Sequence, residues 1–250
     1  MTTNGTTRAS SHATVGLLYP GFGAEDDFPA LESRLGGVVR LPLVHTTVGE
    51  DAHRVDALLD LGSPSRLAAG AELLTARADP PDSVMWACTS GSFVFGWDGA
   101  RQQVDQLAAL VGLPVSSTSI AFVNAGRALG VHKVAVAASY PADVADRFTE
   151  FLTKGGLEVT SVSSHGITTA AEVGLLDRDA VLSLVGGIAT HSADALLVPD
   201  TAMHSLAWLD ELERIAGVPV LTANQVTIWE GLRLLGPVPP LEGMGSLFCV

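Results

Sequence analysis

Short apolar runs that do not alternate with polar residues constrain the fold of this chain more than any other feature. Strands buried on both faces of a parallel sheet lose the alternation that a half-exposed strand shows. Between the runs lie helix-like patterns such as SRLAAGAELLTARA and PADVADRFTEFLTKGG. Strand followed by helix, repeated along the chain, predicts an α/β fold with right-handed crossovers. The runs predicted as strands include 14–20, 83–89, 113–117, 133–140, 157–164, 195–201 and 218–223.

The chain also contains a faint internal repeat. VGLLYP resembles VAVAASYP, GLPVSSTS resembles GVPVLTAN, and AFVNAGRALG resembles TIWEGLRLLG. In addition, Asp82 lies six residues before Cys88, as Asp194 does before Asp200, and Thr follows in both cases. Four matched pairs in the same order predict two pseudo-symmetric α/β halves, each a parallel sheet flanked by helices.

The repeat predicts the domain organisation. Residues 1–12 are expected to form a flexible tail, 13–117 plus 225–250 the first half, and 118–224 the second. Ligands of open parallel sheets bind beyond the carboxyl ends of the strands. The ends that carry Cys88 and Asp200 are therefore expected to face one active-site cleft between the halves.

Charge and composition restrict the partners. The formal net charge is −13, with two lysines and no basic cluster, which argues against nucleic acid and anionic membrane surfaces. No apolar run approaches a membrane span and the amino-terminal residues lack a hydrophobic signal core, so the cytoplasm is the expected compartment. Two cysteines do not make a disulfide framework. A monomer and a homo-oligomer both remain open.

The stretch WACTSGSF, residues 86–93, places one of these cysteines between a strand and a predicted helix start. Backbone N–H groups at a helix start predict a pKa of Cys88 lowered toward neutrality. The hydroxyls of Thr89, Ser90 and Ser92 can cradle a carboxylate. Thiolate and cradle together predict chemistry beside a carboxyl group. The alternative is that Cys88 is a small core residue and TSGS an ordinary cap, and spacing alone does not choose.

Other motifs carry less. GFGAED lacks the third glycine of a dinucleotide-binding loop, and SGSFVFG is not a nucleophile elbow. The histidines lack metal-ligand spacing, so no metal is expected. His53 and His204 could approach the cleft, although a packed or exposed role is expected for each.

From about residue 83 to 248 the chain resembles the aspartate/glutamate racemase superfamily, in the branch of arylmalonate decarboxylases and maleate cis-trans isomerases. The resemblance implies a cofactor-free enzyme of two pseudo-symmetric α/β halves, in agreement with the repeat. The N-terminal part, VGLLYPGFGAEDDFP, fits more loosely. The stretches that carry the resemblance are CTSGSF, GLPVSSTSIAFVNAGRALGVHKVAVAASY, SHGITTAAEV and GVPVLTANQVTIWEGLRLLG.

The resemblance implies roles for individual residues. Cys88 matches the first active-site position, where maleate isomerases and racemases carry cysteine and arylmalonate decarboxylases carry glycine. Thr89 and Ser90 match carboxylate-binding hydroxyls of the decarboxylases, and Tyr140 matches a tyrosine that helps to bind the same carboxylate. At the second active-site position most members have cysteine, but this chain has Asp200. The two-thiol mechanism therefore cannot operate unchanged.

Three roles are open for Asp200: a proton carrier or orienting charge opposite Cys88, a structural residue beside a thiol that works alone, or an N-cap of the following helix. The expected function is a cofactor-independent isomerase, a racemase or a cis-trans isomerase, that acts on a small carboxylic or dicarboxylic acid. Decarboxylation of a malonate-like acid and non-catalytic carboxylate binding are the alternatives. The predicted catalytic residues are Cys88 and Asp200, and the predicted substrate-binding residues are Thr89, Ser90, Tyr140, Thr201, Tyr19 and Pro20.

Overall fold

The computed structural model describes residues 12–21 and 23–250. Apart from His12, the predicted tail lies outside them. The described strands are β1 (Ala13–Tyr19), β2 (Val39–Arg40), β3 (Leu43–His45), β4 (Ser83–Trp86), β5 (Val115–Ser117), β6 (Lys133–Ala138), β7 (Glu158–Ser164), β8 (Ala195–Val198) and β9 (Val220–Thr222). The described helices are α1 (Asp27–Arg34), α2 (Val55–Leu61), α3 (Pro64–Thr75), α4 (Ser90–Phe93), α5 (Gly96–Val111), α6 (Thr118–Ala128), α7 (Ala142–Lys154), α8 (Ala170–Gly174), α9 (Arg178–Gly186), α10 (Leu209–Ala216), α11 (Ala223–Arg233) and a 3-10 helix (Ser246–Cys249).

The strands form two parallel sheets. In the first, β1 pairs with β4, β4 pairs with β5, and the short strands β2 and β3 both pair with the other edge of β1. The second sheet has the order β7-β6-β8-β9. If β2 and β3 are taken as one interrupted strand, the two orders are the same. The predicted α/β fold of two parallel sheets flanked by helices is confirmed.

The repeat has a counterpart in the hydrogen bonds of the two sheets. Asp82 directly precedes β4, and its carboxylate accepts the N–H of Thr14 at 2.9 Å. Asp194 directly precedes β8, and its carboxylate accepts the N–H of Lys133 at 2.8 Å. Each aspartate thus ties the beginning of a strand to the beginning of the neighbouring central strand.

Glycine ends the helices that precede the last strand of each sheet. Gly112 follows α5 with φ 68°, and Gly217 follows α10 with φ 69°. This left-handed conformation is strained for residues with a Cβ atom and favours glycine at the end of a helix. The chain then enters β5 or β9, which explains the likeness of GLPVSS and GVPVLT.

Helices α6 and α11 follow these strands and pack against each other. The hydroxyls of Thr118 and Thr227 lie 2.6 Å apart, and the Asn124 amide donates to Glu230 at 2.8 Å. Helix α11 also contacts β1, β4 and β5 of the first sheet as well as β9 of the second. The proposed boundaries, 13–117 with 225–250 and 118–224, stay a prediction.

Two predicted strands end earlier than expected, so Cys88 and Asp200 lie in the loops that follow them. The run 83–89 is a strand only as far as Trp86, and the run 195–201 only as far as Val198. The residues that follow each strand are therefore free to turn toward a common space.

Among the described helices, none combines the length and the apolar character needed to cross a bilayer.

Candidate active site

Cys88 and Asp200 take equivalent positions in the two sheets. Each is the second residue after its strand, β4 for Cys88 and β8 for Asp200. Their exposed fractions are 3% and 5%. Both line one cavity of about 170 Å³ at the carboxyl ends of the strands. The sequence thus correctly predicted that these two ends face a common cleft.

The cavity has an apolar side. Val48, Leu58 and Leu61 of the first half line it, and Ala170 and Ala171 of the second half lie on it as well. The titratable side chains that line it are carboxylates, one histidine, one thiol and one phenol, with no lysine or arginine among the lining residues. They are Glu50, Asp51, His53, Cys88, Asp200 and the phenol of Tyr19.

The Cys88 thiol is held in place by the residues that follow it. The N–H of Gly91 donates to Sγ at 3.3 Å, and the Ser90 hydroxyl lies 3.8 Å from Sγ. A Cβ atom at position 91 would lie 3.1 Å from Sγ and 3.0 Å from the Trp86 ring, a tight contact that its neighbours would have to relieve by small shifts. The Cys88 thiol is thus closely packed against the backbone of Gly91.

The direction of the pKa shift at Cys88 differs from the prediction. Burial above all, with a smaller contribution from the charge of Asp200, raises the pKa of the thiol to about 12, against the lowering by hydrogen bonds from Gly91 and Ser90. Helix α4 spans only four residues, so its dipole is small. Loss of solvent around a buried thiol outweighs that field. At neutral pH the thiol is protonated, and the predicted lowering is wrong.

Asp200 is not the N-cap of a helix. The next helix, α10, begins at Leu209, so the predicted capping role is wrong. The carboxylate instead accepts the N–H of Ala202 at 3.0 Å, the local bond of an Asx turn, and a hydrogen bond from the Ser139 hydroxyl. His53 Nε2 lies 4.0 Å from Asp200 Oδ2. These contacts leave the carboxylate on the cavity wall.

Of the predicted carboxylate cradle, Ser90 lines the cavity, whereas Thr89 and Tyr140 are buried and are not among its lining residues. Thr89 Oγ1 is buried and has no partner of ordinary hydrogen-bond geometry in the described part of the chain, although it lies near the Tyr140 phenol. Tyr140 donates its proton to the Pro199 carbonyl at 2.5 Å. Burial raises the pKa of Tyr140, and the charges of Asp200 and Cys88 raise it further, so the phenol stays neutral.

Other predicted site residues shape the wall. The Tyr19 phenol donates to the Thr201 carbonyl at 3.0 Å and accepts the N–H of Ala24 at 3.0 Å. Pro20 and Thr201 line the cavity. Ser92, a predicted cradle member, is instead hydrogen-bonded to Ser117 and Ser119 at 2.9 and 2.7 Å. The assignment of substrate-binding residues stays a prediction.

The two histidines differ. His204 is bonded to Asp26 at the protein surface, with 2.7 Å between Nε2 and Oδ1. His53 lies on the cavity wall, a position that the sequence left open but did not expect. No motif marks it, because its ring is placed by the Ile167 carbonyl, 114 positions away. In the described part of the chain, no three His, Cys, Asp or Glu side chains cluster as metal ligands would.

The site is thus a small cavity at the ends of two parallel sheets, with a buried thiol and a carboxylate on its wall. A profile of the arylmalonate decarboxylase family matches residues 65–248. The chain belongs to this family, in the aspartate/glutamate racemase-like superfamily, so the resemblance read from the sequence is confirmed.

The curated relatives are of two kinds. The chain is 34% identical to arylmalonate decarboxylase of Bordetella bronchiseptica over 140 residues, a match that spans 55% of this chain and 58% of that enzyme. It is 26% identical to maleate isomerase of Geobacillus stearothermophilus over 256 residues, which covers 95% of this chain and 98% of the isomerase.

Solved structures show the same fold. A liganded arylmalonate decarboxylase variant, with one glycine changed to cysteine and one cysteine to serine, has a TM-score of 0.79 and 26% identity, covering 94% of this chain and 98% of the variant. Maleate isomerase of Pseudomonas putida S16 has a TM-score of 0.84 at 22% identity, and the match covers 94% of this chain and 98% of the isomerase. A variant of the Nocardia farcinica maleate isomerase has a TM-score of 0.83 at 22% identity, and the match covers 94% of this chain and 98% of the variant. That structure holds a covalently bound succinylcysteine intermediate.

Proposed function

We propose that this chain is a cofactor-independent isomerase that acts on a small carboxylic acid through the thiol of Cys88. The observation that carries the proposal is that Cys88, Ser90 and Asp200 line one cavity. Two maleate isomerases support it, because they match the chain over nearly its whole length. The decarboxylase match is shorter than two thirds of that enzyme.

In the proposed reaction, Ser90, which lines the cavity, holds a carboxylate of the substrate so that the neighbouring carbon lies against Sγ. Because the pKa of Cys88 is raised to about 12, the thiol needs a base when it reacts. Asp200 takes the thiol proton as Sγ adds to one carbon of a carbon–carbon double bond. The π electron pair moves to the other carbon and its carboxylate, which becomes an enediolate.

The remaining steps restore the enzyme. The former double bond is now single and rotates. The enediolate then re-forms the double bond, the carbon–sulfur bond breaks, and Asp200 returns its proton to the departing thiolate. Racemisation uses the same two groups without addition: Asp200 removes the α-hydrogen on one face and Cys88 supplies a proton on the other. Proton transfer by positioned groups typically contributes about 10²–10⁴-fold to the rate.

Decarboxylation is the second candidate, and two observations favour it. A neutral thiol is ready to donate a proton, and the apolar side of the cavity suits an aryl or alkyl substituent. A malonate-like acid would lose carbon dioxide, its bonding pair would remain as an enediolate, and the Cys88 thiol would protonate the α-carbon. Asp200 would then be structural or would help to reprotonate the thiolate.

The test supplies maleate, single enantiomers of small α-substituted acids, and aryl and alkyl malonates to the purified chain. The matched variants are Cys88→Ala and Cys249→Ser, because Cys249 is an exposed thiol outside the cavity. We expect an isomer of the substrate to form without gas release. This activity should be lost in Cys88→Ala and kept in Cys249→Ser. Carbon dioxide from a malonate would support the second candidate. Binding of the acids without turnover would support a non-catalytic carboxylate-binding protein. A cytoplasmic location and the oligomeric state stay predictions.

A further inference from the structure

A second cavity lies where helices α5, α6 and α11 meet, next to the end of α7. It is an open cleft of about 580 Å³ and shares no lining residue with the cavity of Cys88 and Asp200. Binding sites for small molecules typically enclose roughly 300–1,000 Å³. Four of the residues that line this basic cleft are cations: Arg101 on α5, Arg127 on α6, Lys154 on α7 and Arg233 on α11.

The basic cleft stands out because the chain as a whole is acidic. The sequence has 14 lysines and arginines against 27 aspartates and glutamates. The four cations are spread over positions 101 to 233, so no basic run of the sequence marks them. The packing of helices that are distant in the chain brings them to one cavity.

Three of the four cations also lack a carboxylate partner. In the part of the chain that the structure describes, most lysines and arginines form ion pairs, as Arg233 does with Glu230 at 2.6 Å. Three of the described cations without an ion pair line the basic cleft, and two lie elsewhere. Where acidic residues are in excess, unpaired cations gathered in one cavity are available to an anion from outside. The five described cations without an ion pair are Arg34, Arg77, Arg101, Arg127 and Lys154.

The carboxylates of the basic cleft do not cancel this charge. Glu230 is only 1% exposed, and its oxygens accept hydrogen bonds from Arg233 at 2.6 and 2.9 Å and from the Asn124 amide at 2.8 Å. Asp105 is exposed and forms no ion pair with any residue that the structure describes. Arg127 donates to a backbone carbonyl at 2.8 Å, a neutral group that leaves its positive charge uncompensated. The basic cleft therefore carries a surplus of positive charge on a negatively charged protein.

Helix ends explain part of the cluster. Arg127, Lys154 and Arg233 lie in the last turns of their helices, where a cation offsets the partial negative charge of the free carbonyl groups. Arg101 lies in the first half of α5, so a helix end does not account for it. Offsetting of helix ends therefore explains single cations and not their convergence on one cavity.

The remaining wall of the basic cleft has apolar side chains. Trp97, Val104, Ile120 and Leu234 line it and are partly buried. The Trp97 ring packs against Phe151 with 5.1 Å between ring centroids. A ligand with an anionic group and an apolar or aromatic part would contact both kinds of wall.

We propose that the basic cleft is a second binding site and that its ligand is a small organic phosphate. A phosphate monoester carries about 1.5 to 2 negative charges at pH 7 and presents three acceptor oxygens. Guanidinium and ammonium groups form short, charge-assisted hydrogen bonds with such oxygens. A single carboxylate would leave more of the three unpaired cations unbalanced. The site is separate from the proposed reaction at Cys88 and does not depend on it.

The first experiment titrates phenyl phosphate into the whole chain by isothermal titration calorimetry. Benzenesulfonate is the matched probe, because it has the same ring and three oxygens but only one negative charge, and inorganic phosphate lacks the ring. We expect one saturable site for phenyl phosphate, weaker binding of the other two probes, and weaker binding of all three as salt is added. Failure of phenyl phosphate to saturate overturns the site. Benzenesulfonate that binds as tightly overturns the assignment to phosphate, and inorganic phosphate that binds as tightly would mean an adventitious ion only.

The second experiment changes single charges on the basic cleft. Arg101→Gln and Lys154→Gln should each weaken the binding of phenyl phosphate by about tenfold, because a charge-assisted hydrogen bond is lost. Asp105→Asn removes a negative charge from the cleft and should tighten binding. Arg77→Gln and Asp79→Asn are the matched controls, because both side chains are exposed and lie outside the cleft, and they should leave binding unchanged.

The changed side chains are all exposed and have no ion pair in the described structure, so the variants should fold, which thermal melting checks. Equal losses in Arg101→Gln and Arg77→Gln would reveal an effect of net charge alone and overturn the site. Binding of phenyl phosphate that survives Arg101→Gln and Lys154→Gln unchanged would place the ligand in another cavity and also overturn it. Binding needs no turnover, so the outcome is independent of the reaction at Cys88.

Discussion

The negative charge of Asp200 raises the pKa of the Cys88 thiol across the cavity that both residues line. The two groups follow equivalent strands, yet they are unlike acids. In the resting state the buried thiol holds its proton, because its pKa is raised to about 12. Two identical thiols could exchange roles, whereas this pair gives each face of the cavity a fixed starting role.

The reactivity of Cys88 toward alkylation should follow its thiolate fraction. Because the pKa is raised to about 12, iodoacetamide should modify Cys88 slowly at pH 7, and about tenfold faster for each added pH unit below that pKa. The measurement is intact mass against time in Cys249→Ser, which removes the exposed thiol. Substrate should protect. Fast modification of Cys88 at neutral pH would contradict the raised pKa.

Replacement of Asp200 should move turnover and thiol reactivity in opposite directions. Asp200→Asn removes a proton carrier, so kcat should fall by about 100-fold. It also removes a negative charge that raises the pKa of Cys88, so alkylation of the thiol should become faster. Asp26→Asn serves as a surface control for both assays. Normal turnover with reduced stability would mean that Asp200 is structural and that Cys88 works alone.

The close packing of Gly91 gives a prediction about the position of the thiol. In Gly91→Ala the new methyl group would meet Sγ at 3.1 Å and the Trp86 ring at 3.0 Å. Overpacking of this kind costs about 1–3 kcal/mol of unfolding free energy. We expect lower kcat as Sγ is displaced. The control is Gly186→Ala in α9, where the nearest atom is a side-chain methyl of Ile215 at 3.3 Å. Equal turnover in both variants would show that Sγ tolerates displacement.

The sequence predicted the parts of the structure that depend on local pattern. Long buried strands such as β6 appear as apolar runs, and the repeat marks Asp82 and Asp194, which make the same contact in the two sheets. Strands β2 and β3 span only two and three residues, too few to show a period.

The parts that were missed depend on contacts far apart in the chain. The orientation of His53 depends on Ile167, and no spacing rule connects the two residues. The pKa of Cys88 was predicted from the helix start beside it, but burial by distant elements decides its direction. Tyr19 and Tyr140 were predicted to bind substrate, but both phenols already donate their protons to backbone carbonyls. A substrate would have to compete with these hydrogen bonds.

The link from Asp194 to the second central strand predicts a pH-dependent stability. The N–H groups of His132 and Lys133 hold the pKa of this carboxyl below its usual value. Because the folded-state pKa is below the unfolded one, the contribution is full above the unfolded pKa and is lost as pH falls through the folded pKa. Asp194→Asn should therefore lower Tm at pH 7 and converge with wild type in acid. Asp105→Asn, on exposed α5 surface, is the control. A constant difference at all pH values would contradict this linkage.

The fate of solvent deuterium separates the proposed reactions. In D₂O a decarboxylase places one deuteron on the α-carbon of its product, in one configuration, because a single thiol delivers it from one face. A racemase exchanges the α-hydrogen of its substrate without releasing gas. A cis-trans isomerase that adds Sγ to a double bond passes through a covalent adduct on Cys88, which intact-mass measurement would detect as the mass of the substrate.

We expect the outcome without gas, because the chain carries a thiol two residues after β4, where the resemblance gives decarboxylases a glycine, and because two maleate isomerases match its sequence over nearly the whole length. The measurement combines headspace carbon dioxide, NMR of the product and intact mass, each repeated in Cys88→Ala. Cys249→Ser should match wild type in all three, since its thiol lies outside the cavity. Stoichiometric carbon dioxide from an aryl or alkyl malonate, absent in Cys88→Ala, would replace isomerisation by decarboxylation, with the neutral Cys88 thiol as the proton donor.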